Sequence, residues 1–265
     1  MNICRREIQM NLPAMLYWTV GMVLGLLFFM LMFPATSQNA AVLNQITGQF
    51  SPELIRALGL QALDLSTVLG YYSYVFIYIL LVGAIYALKS SLSSLSEEIR
   101  ARTADFLLSK PVGRPVIAAA KAASVSTLIL LQNIIYIPLA FIITRLTSGQ
   151  DFNIQVFLLI NLTMLLVQLF FLALGLLLAV IIKRIRNVLP IALGTVFAFW
   201  VVQMLNQTLA DSALAYLTPF AWFDLAGIIA SGGYQAKYLF TNMILVIAVA
   251  TLAGFIYQRR DMPAV

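Results

Sequence analysis

Long apolar stretches separated by short polar segments dominate the chain. A helix needs about 20 apolar residues to cross the hydrocarbon core of a bilayer. Six stretches reach that length, at residues 13–33, 67–88, 124–143, 154–182, 188–205 and 238–257. We therefore predict an all-α membrane protein with six transmembrane helices, which form a single domain over residues 1–265.

Composition supports a membrane protein and excludes several kinds of enzyme. The chain is 62% hydrophobic and 10% charged, whereas soluble domains are about 25% charged. Histidine is absent and Cys4 is the only cysteine, so histidine bases, histidine-ligated metals and intrachain disulfides are excluded. No GxxxxGK[ST] phosphate loop occurs. We expect a chain that is not an enzyme by itself and binds no metal or cofactor.

The positive charges predict how the helices are oriented in the membrane. Cytoplasmic loops carry an excess of lysine and arginine. With both termini inside, 13 of the 16 lysines and arginines lie on the cytoplasmic side, and the remaining three are Arg56, Arg145 and Lys237. The sequence thus predicts a multi-pass protein with cytoplasmic N- and C-termini. We expect this protein to contact the lipid bilayer and not to bind nucleic acid.

The segment 90–115 between the second and third spans is unusually polar and patterned. Ser94 and Glu97 have the spacing of a capping box, and Pro111 with Gly113 would end a helix. We therefore predict a short amphipathic helix that begins at Ser94 on the cytoplasmic surface. Such a helix could lie on lipid or dock on a protein. The adjacent acids Glu97 and Glu98 suit an anionic lipid surface poorly, which favours a protein partner.

The run "EEIRARTADFLLSKPVGR" at residues 97–114 resembles the cytoplasmic signature of permease subunits of type-2 ABC exporters. The matching positions are two acids, a threonine, a leucine pair, a proline and an arginine: Glu97, Glu98, Thr103, Leu107, Leu108, Pro111 and Arg114. In that family the element is a coupling helix, which docks on a separate ATPase subunit. Ile99 and Phe106 lie on a mostly apolar stripe at helical spacing in the same segment, and together with Arg100 they complete the expected docking residues.

The resemblance also implies partners and two further elements. Two cytoplasmic ABC ATPase subunits would carry ATP and Mg, and a second permease copy or homologue would complete the transporter. An interfacial helix is expected at residues 1–12, and short re-entrant helices are expected at residues 207–237, between spans five and six. The implied function is that of an exporter permease in a bacterial plasma membrane. An importer permease, or a structural or regulatory membrane protein, remains the alternative.

Aromatic and amide side chains on spans two and five are candidates for the substrate route. Tyr71, Tyr74 and Tyr78 follow helical spacing and share a face, and Trp200, Gln203 and Asn206 lie on the fifth span. Such a lining favours an amphipathic substrate, such as an antimicrobial peptide, a drug or a lipid-like compound. The alternative is that the tyrosines pack against neighbouring spans near the outer interface.

Pairs of small residues mark two helices for close packing. Gly21 and Gly25 form a GxxxG pair in the first span, and Gly194 and Ala198 form a similar pair in the fifth. Small residues let membrane helices approach one another. In the resembled family these two spans meet at the dimer interface, while the alternative is packing within one protomer.

Overall fold

The computed structural model describes residues 3–38, 51, 63–100, 113–182, 185–209 and 212–259. Within these residues the secondary structure is helical. Five long helices come first: α1 (Ile3–Met30, followed by the short α2, Phe33–Gln38), α3 (Val68–Arg100), α4 (Arg114–Ser148), α5 (Ile154–Ile181) and α6 (Val188–Leu209). Three short helices follow, α7 (Ser212–Ala215), α8 (Pro219–Trp222) and α9 (Leu225–Ser231), before the long α10 (Ala236–Arg259).

Six of these helices are long and apolar enough to cross a membrane, so the prediction of six spans is confirmed. The helices extend beyond the predicted stretches at several ends. The second, predicted to end at 88, continues to Arg100, and the third, predicted to begin at 124, starts at Arg114. Apolar length alone defines only the part of a helix that matches the bilayer core, because helical hydrogen bonding can continue through polar residues.

The predicted helix start at Ser94 is wrong. Helix α3 runs through Ser94 without a break, and the Ser94 hydroxyl is buried and accepts no hydrogen bond from a described residue. The reason is packing: Leu88, Leu92 and Leu95 continue the buried face of α3 at helical spacing. Tertiary contacts along that face therefore override the local capping signal.

Helices α3 and α5 form the centre of the bundle and make its most extensive contact. Glycines allow this approach. A Cβ atom at Gly175 would lie 2.0 Å from Ser91 Oγ and 2.8 Å from the Leu88 carbonyl oxygen, both on α3. At Gly83 of α3, a Cβ atom would lie 3.2 Å from Met164 Sδ on α5. At Gly175 the contact with backbone excludes a side chain, whereas at Gly83 a Cβ atom would require neighbouring side chains to shift.

The other spans surround this central pair. Helix α4 packs against α1, α3 and α5, while α10 packs mainly on α5 and α6 packs mainly on α3. Few residues of α6 and α10 are buried within the chain. The exposed side chains are large and apolar, among them Val201 and Leu205 on α6 and Ile244 and Ile247 on α10, as expected for helices that face lipid.

Buried amides join the central helices through hydrogen bonds. Asn133 Nδ2 of α4 donates to Gln168 Oε1 of α5 over 2.7 Å, and Gln168 Nε2 donates to Gln132 Oε1 over 2.8 Å. Elsewhere in the core, the Tyr72 hydroxyl donates to Asn161 Oδ1 over 2.7 Å. These amides pair because no water is available in an apolar interior to satisfy them. The bonds join α3 and α4 to α5.

The N-terminal residues form one continuous helix with the first span. Helix α1 begins at Ile3 and contains Pro13, so no helix boundary separates residues 3–12 from the span. The placement of that segment at the membrane surface stays a prediction.

Candidate functional site

A recess opens between two spans and the short helices that precede the last span. Its walls include Tyr78 of α3, Trp200 and Gln203 of α6, Phe220 of α8 and Asp224 just before α9. The space outside atoms, open mouth included, is about 750 Å³. Because this figure includes the open mouth, it is an upper bound on the space that a ligand can fill.

Four of the side chains that line the recess are aromatic: Tyr78, Trp200, Phe220 and Phe223. The rings of Tyr78 and Trp200 lie 6.3 Å apart, centroid to centroid, and Trp200 meets Phe220 edge to face at 5.4 Å. Both distances are within the range of favourable ring contacts. Trp200 of α6 thus contacts both Tyr78 of α3 and Phe220 of α8. Tyr78 remains 37% exposed.

Side-chain caps hold the short helices against the spans. Thr218 Oγ1 accepts from the Phe220 amide over 3.4 Å and donates to the Phe199 carbonyl of α6 over 3.1 Å. At the start of α9, the Asp224 carboxylate accepts from the amides of Ala226 and Gly227. Threonine and aspartate are favoured caps because their oxygens satisfy free helical N–H groups. Phe220 and Phe223 are thereby held as fixed walls of the recess.

A further contact anchors the connection between α9 and α10. The Tyr234 hydroxyl donates to the Leu159 carbonyl of α5 over 2.5 Å, and its ring meets Phe223 at 5.6 Å. Burial raises the pKa of Tyr234 to about 12. Neutral Tyr234 therefore keeps this hydrogen bond over the physiological pH range.

The polar groups of the recess are rich in acceptors. Gln203 Oε1 is buried and accepts no hydrogen bond from any residue in the described ranges. The Asp224 carboxylate lies on the exposed side. Asp64 does not line the recess but follows the lining residue Leu63, and hydrogen bonds from the side chain and then the backbone of Ser66 lower the pKa of the Asp64 carboxyl. A ligand with hydrogen-bond donors or positive charge fits these groups better than an anion does.

The structure brings together only part of the predicted substrate route. Tyr78, Trp200 and Gln203 line the recess. Tyr74 lies behind them and shares a 3.2 Å hydroxyl–hydroxyl hydrogen bond with Tyr78. Tyr71 is buried elsewhere, and its hydroxyl donates to the Phe29 carbonyl of α1 over 2.9 Å. Its position matches the packing alternative.

Asn206 is the remaining predicted residue of the route. It is half-buried on α6 and does not line the recess, whereas Gln207 does. Sequence reasoning also missed Phe220, Phe223 and Asp224 as wall residues. Their chain segment was expected to be re-entrant, but only its packing against α5 and α6 shows which side chains face the recess.

The predicted docking segment lies largely outside the described residues. Thr103, Phe106, Leu107, Leu108 and Pro111 are in the undescribed range 101–112. The backbone of Glu97, Glu98, Ile99 and Arg100 forms the last turn of α3, and Arg114 begins α4. The role of all ten residues in docking stays a prediction.

An ion pair that sequence reasoning missed lies where the docking segment joins the bundle. Lys121 of α4 is 1% exposed, and its Nζ donates to Glu7 Oε1 of α1 over 2.8 Å and to the Ser94 carbonyl of α3 over 2.7 Å. Charged groups are rarely buried unless they are paired. The two bonds hold three helices together at the end of the bundle opposite the recess.

The small residues proposed for dimer packing lie mainly on the outside. Gly21, Gly194 and Ala198 are exposed, and a Cβ atom at either glycine would meet no atom of the described residues within 4 Å. Gly25 is half-buried, with Ile79 Cδ1 at 3.7 Å from its Cβ position. Packing within the protomer therefore requires neither Gly21 nor Gly194, and these positions are open to a neighbouring helix.

Comparison with known proteins places the chain in a family. A family model for ABC-2 family transporter proteins matches residues 1–262, and no curated protein matches the chain.

Within the described residues, no three histidine, cysteine, aspartate or glutamate side chains could together hold a metal ion.

Proposed function

The chain belongs to the ABC-2 family of transporter proteins, and we propose that it is the permease subunit of an ATP-driven exporter of amphipathic compounds. Membership makes it a multi-pass membrane transport component that works with an ABC ATPase subunit. The proposal adds the direction of transport, the substrate class and a bacterial plasma membrane location.

The recess is the observation that carries the substrate class. Its aromatic walls suit the apolar part of a molecule, and its few polar groups suit a polar end. Within the predicted orientation, it lies in the outer half of the membrane, close to the side where an exporter releases its cargo. A sugar would need many more hydrogen-bonding groups than these walls present.

Docking on the ATPase is assigned to segment 90–115. The Lys121 anchor supports this proposal because it ties the last turns of α3 and the first turns of α4, which flank the segment, to α1. A docking element needs a firm base to transmit movement to the spans. ATP and Mg would bind to the two partner ATPase subunits and not to this chain.

The exporter is proposed to contain two permease chains that meet through α1 and α6. Support comes from the outward position of Gly21, Gly194 and Ala198. Small residues on a lipid-facing surface allow close helix contact between protomers. A second copy or a close homologue would fit equally well.

The experiment that tests this function is transport by the complex of the chain with its ATPase in proteoliposomes. ATP added outside should drive a fluorescent amphipathic dye into vesicles whose cytoplasmic face points outward. A complex with an ATPase unable to hydrolyse ATP is the control. ATP-dependent loss of dye from the vesicle interior would indicate import and overturn the proposed direction. Absence of any ATP-dependent dye movement would overturn the function.

A further inference from the structure

We propose that the recess selects amphipathic cations, with the Asp224 carboxylate as the partner of the cationic head. This inference names the charge class of the exported substrate, and in that respect it rests on the proposed export function. It concerns binding by this chain alone, however, and it is tested without ATP or an ATPase.

The charge pattern of the recess is the first support. Among the lining residues that lie in the described ranges there is one carboxylate, from Asp224, and no lysine or arginine. Each oxygen of that carboxylate accepts one backbone amide, Oδ1 from Ala226 over 3.2 Å and Oδ2 from Gly227 over 3.0 Å. A carboxylate offers about four acceptor positions in total. Asp224 thus retains acceptor capacity for a ligand while it caps α9.

The aromatic walls are the second support. Aromatic faces carry partial negative charge and attract ammonium and guanidinium groups, and tryptophan does so most strongly. Trp200 and Tyr78 are adjacent across the recess, with Phe220 beyond them. An anion would meet the same faces and the same carboxylate unfavourably. The walls therefore favour a cation with an apolar body.

An unpaired acceptor on a wall residue is the third support. Gln203 lines the recess, and its Oε1 is buried without a donor from the described residues. A protonated amine has several N–H donors. If rotation of the Gln203 amide turns Oε1 toward the recess, a ligand amine could donate to it, whereas a carboxylate head could not.

The test compares three ligands that share one ring system and differ in the head group. Equilibrium dialysis measures binding of 1-naphthylmethylamine, 1-naphthylmethanol and 1-naphthylacetate to the full chain in nanodiscs, with empty nanodiscs as the blank for lipid partition. We expect the amine to bind about tenfold more tightly than the alcohol, and the acetate to bind more weakly than both. Equal affinity for all three would overturn the proposal.

Substitution identifies the charge responsible. Asp224→Asn keeps an oxygen that can cap α9 but removes the negative charge, so it should reduce amine affinity about tenfold and leave alcohol binding within twofold. The matched control is Asp151→Asn, which makes the same change in net charge at an exposed aspartate paired with Arg145. Equal loss of amine binding in both variants would show a general surface effect and contradict a role for Asp224.

Two further measurements test the aromatic contact and the source of the amine. Trp200→Leu should weaken amine binding, whereas Trp200→Phe should retain most of it if the cation needs an aromatic face.

Nanodiscs with and without phosphatidylethanolamine distinguish a free amine from a lipid ammonium, because a lipid occupant would compete with the naphthyl amine. Complete competition by this lipid would overturn a free amine as the ligand. Failed transport by the complex would leave these binding results unchanged, so the two proposals fail separately.

Discussion

The Lys121 ammonium of α4 donates to the Glu7 carboxylate of α1 across 2.8 Å, although the two residues are 114 positions apart in the chain. Lys121 is 1% exposed and Glu7 is 17% exposed. The same ammonium also donates to the Ser94 carbonyl of α3. The pair therefore joins the first three spans beside the segment proposed to dock on the ATPase.

Breaking this pair should destabilise the protein strongly. Lys121→Met leaves the Glu7 carboxylate and the Ser94 carbonyl without their partner, and loss of one member of a buried pair costs roughly 3–5 kcal/mol. Thermal unfolding of the purified chain, followed by tryptophan fluorescence, should show a clearly lowered midpoint. Lys237→Met is the control, because Lys237 is exposed. The double variant Glu7→Leu with Lys121→Met should recover part of the loss, and no recovery would contradict a specific pair.

Gly175→Ala should disrupt the contact between α3 and α5. The new Cβ atom would lie 2.8 Å from the Leu88 backbone oxygen, so α3 and α5 must separate, at a cost of about 1–3 kcal/mol or more. Gly254→Ala on α10 is the control, since a Cβ there meets nothing within 4 Å. The measurement is the unfolding midpoint in detergent. Ser91→Ala added to Gly175→Ala should give only partial rescue, because the backbone clash remains.

Charge reversal in the docking segment should weaken the complex with the ATPase. Glu97→Lys with Glu98→Lys reverses the two adjacent acids proposed to orient the docking helix. Co-purification with the ATPase should fall and become more sensitive to salt, while membrane insertion and yield stay unchanged. The matched control reverses one acid outside the segment, Asp151→Lys. Retention of the ATPase at the unmodified level would contradict docking through these acids.

Substrate stimulation of ATP hydrolysis should depend on the recess and not on the whole tyrosine stripe. Gln203→Leu and Tyr78→Ala remove recess walls, so they should reduce stimulation by amphipathic amines without changing basal hydrolysis. Tyr71→Phe is the control because Tyr71 faces α1 and lies outside the recess. The measurement is phosphate release by the reconstituted complex. Equal loss in all three variants would indicate a general packing effect.

Cross-linking should test the proposed dimer surface on α6. In a Cys4→Ser background, Ala198→Cys occupies an exposed position, whereas Ala192→Cys occupies a fully buried one on the same helix. Oxidation should give a disulfide-linked dimer for the first variant and none for the second. The readout is non-reducing gel electrophoresis of native membranes. A monomer for both variants would contradict close contact between two copies at Ala198.

The sequence by itself determined the number of spans and the family resemblance. Both depend on properties that are local in the chain: apolar length sets whether a helix can cross a bilayer, and the Glu97–Arg114 motif is contiguous. The paired glycines on the first and fifth spans were visible in the same way. The tertiary structure alone decided that three of these four small residues are exposed, because the direction of a helix face depends on its neighbours.

Tertiary structure also decided which polar residues work together. Six candidates for the route were chosen by residue type, yet only Tyr78, Trp200 and Gln203 meet around the recess, together with wall residues from the segment after α7. Tyr71 has the same chemistry and spacing, but it is covered by α1. Likewise, α3 continues through Ser94 despite the local capping signal, because its face packs against the bundle. Lys121 pairs with Glu7, which is 114 positions away in the chain. Spacing along a helix determines which side chains share a face, while helix packing determines what that face meets.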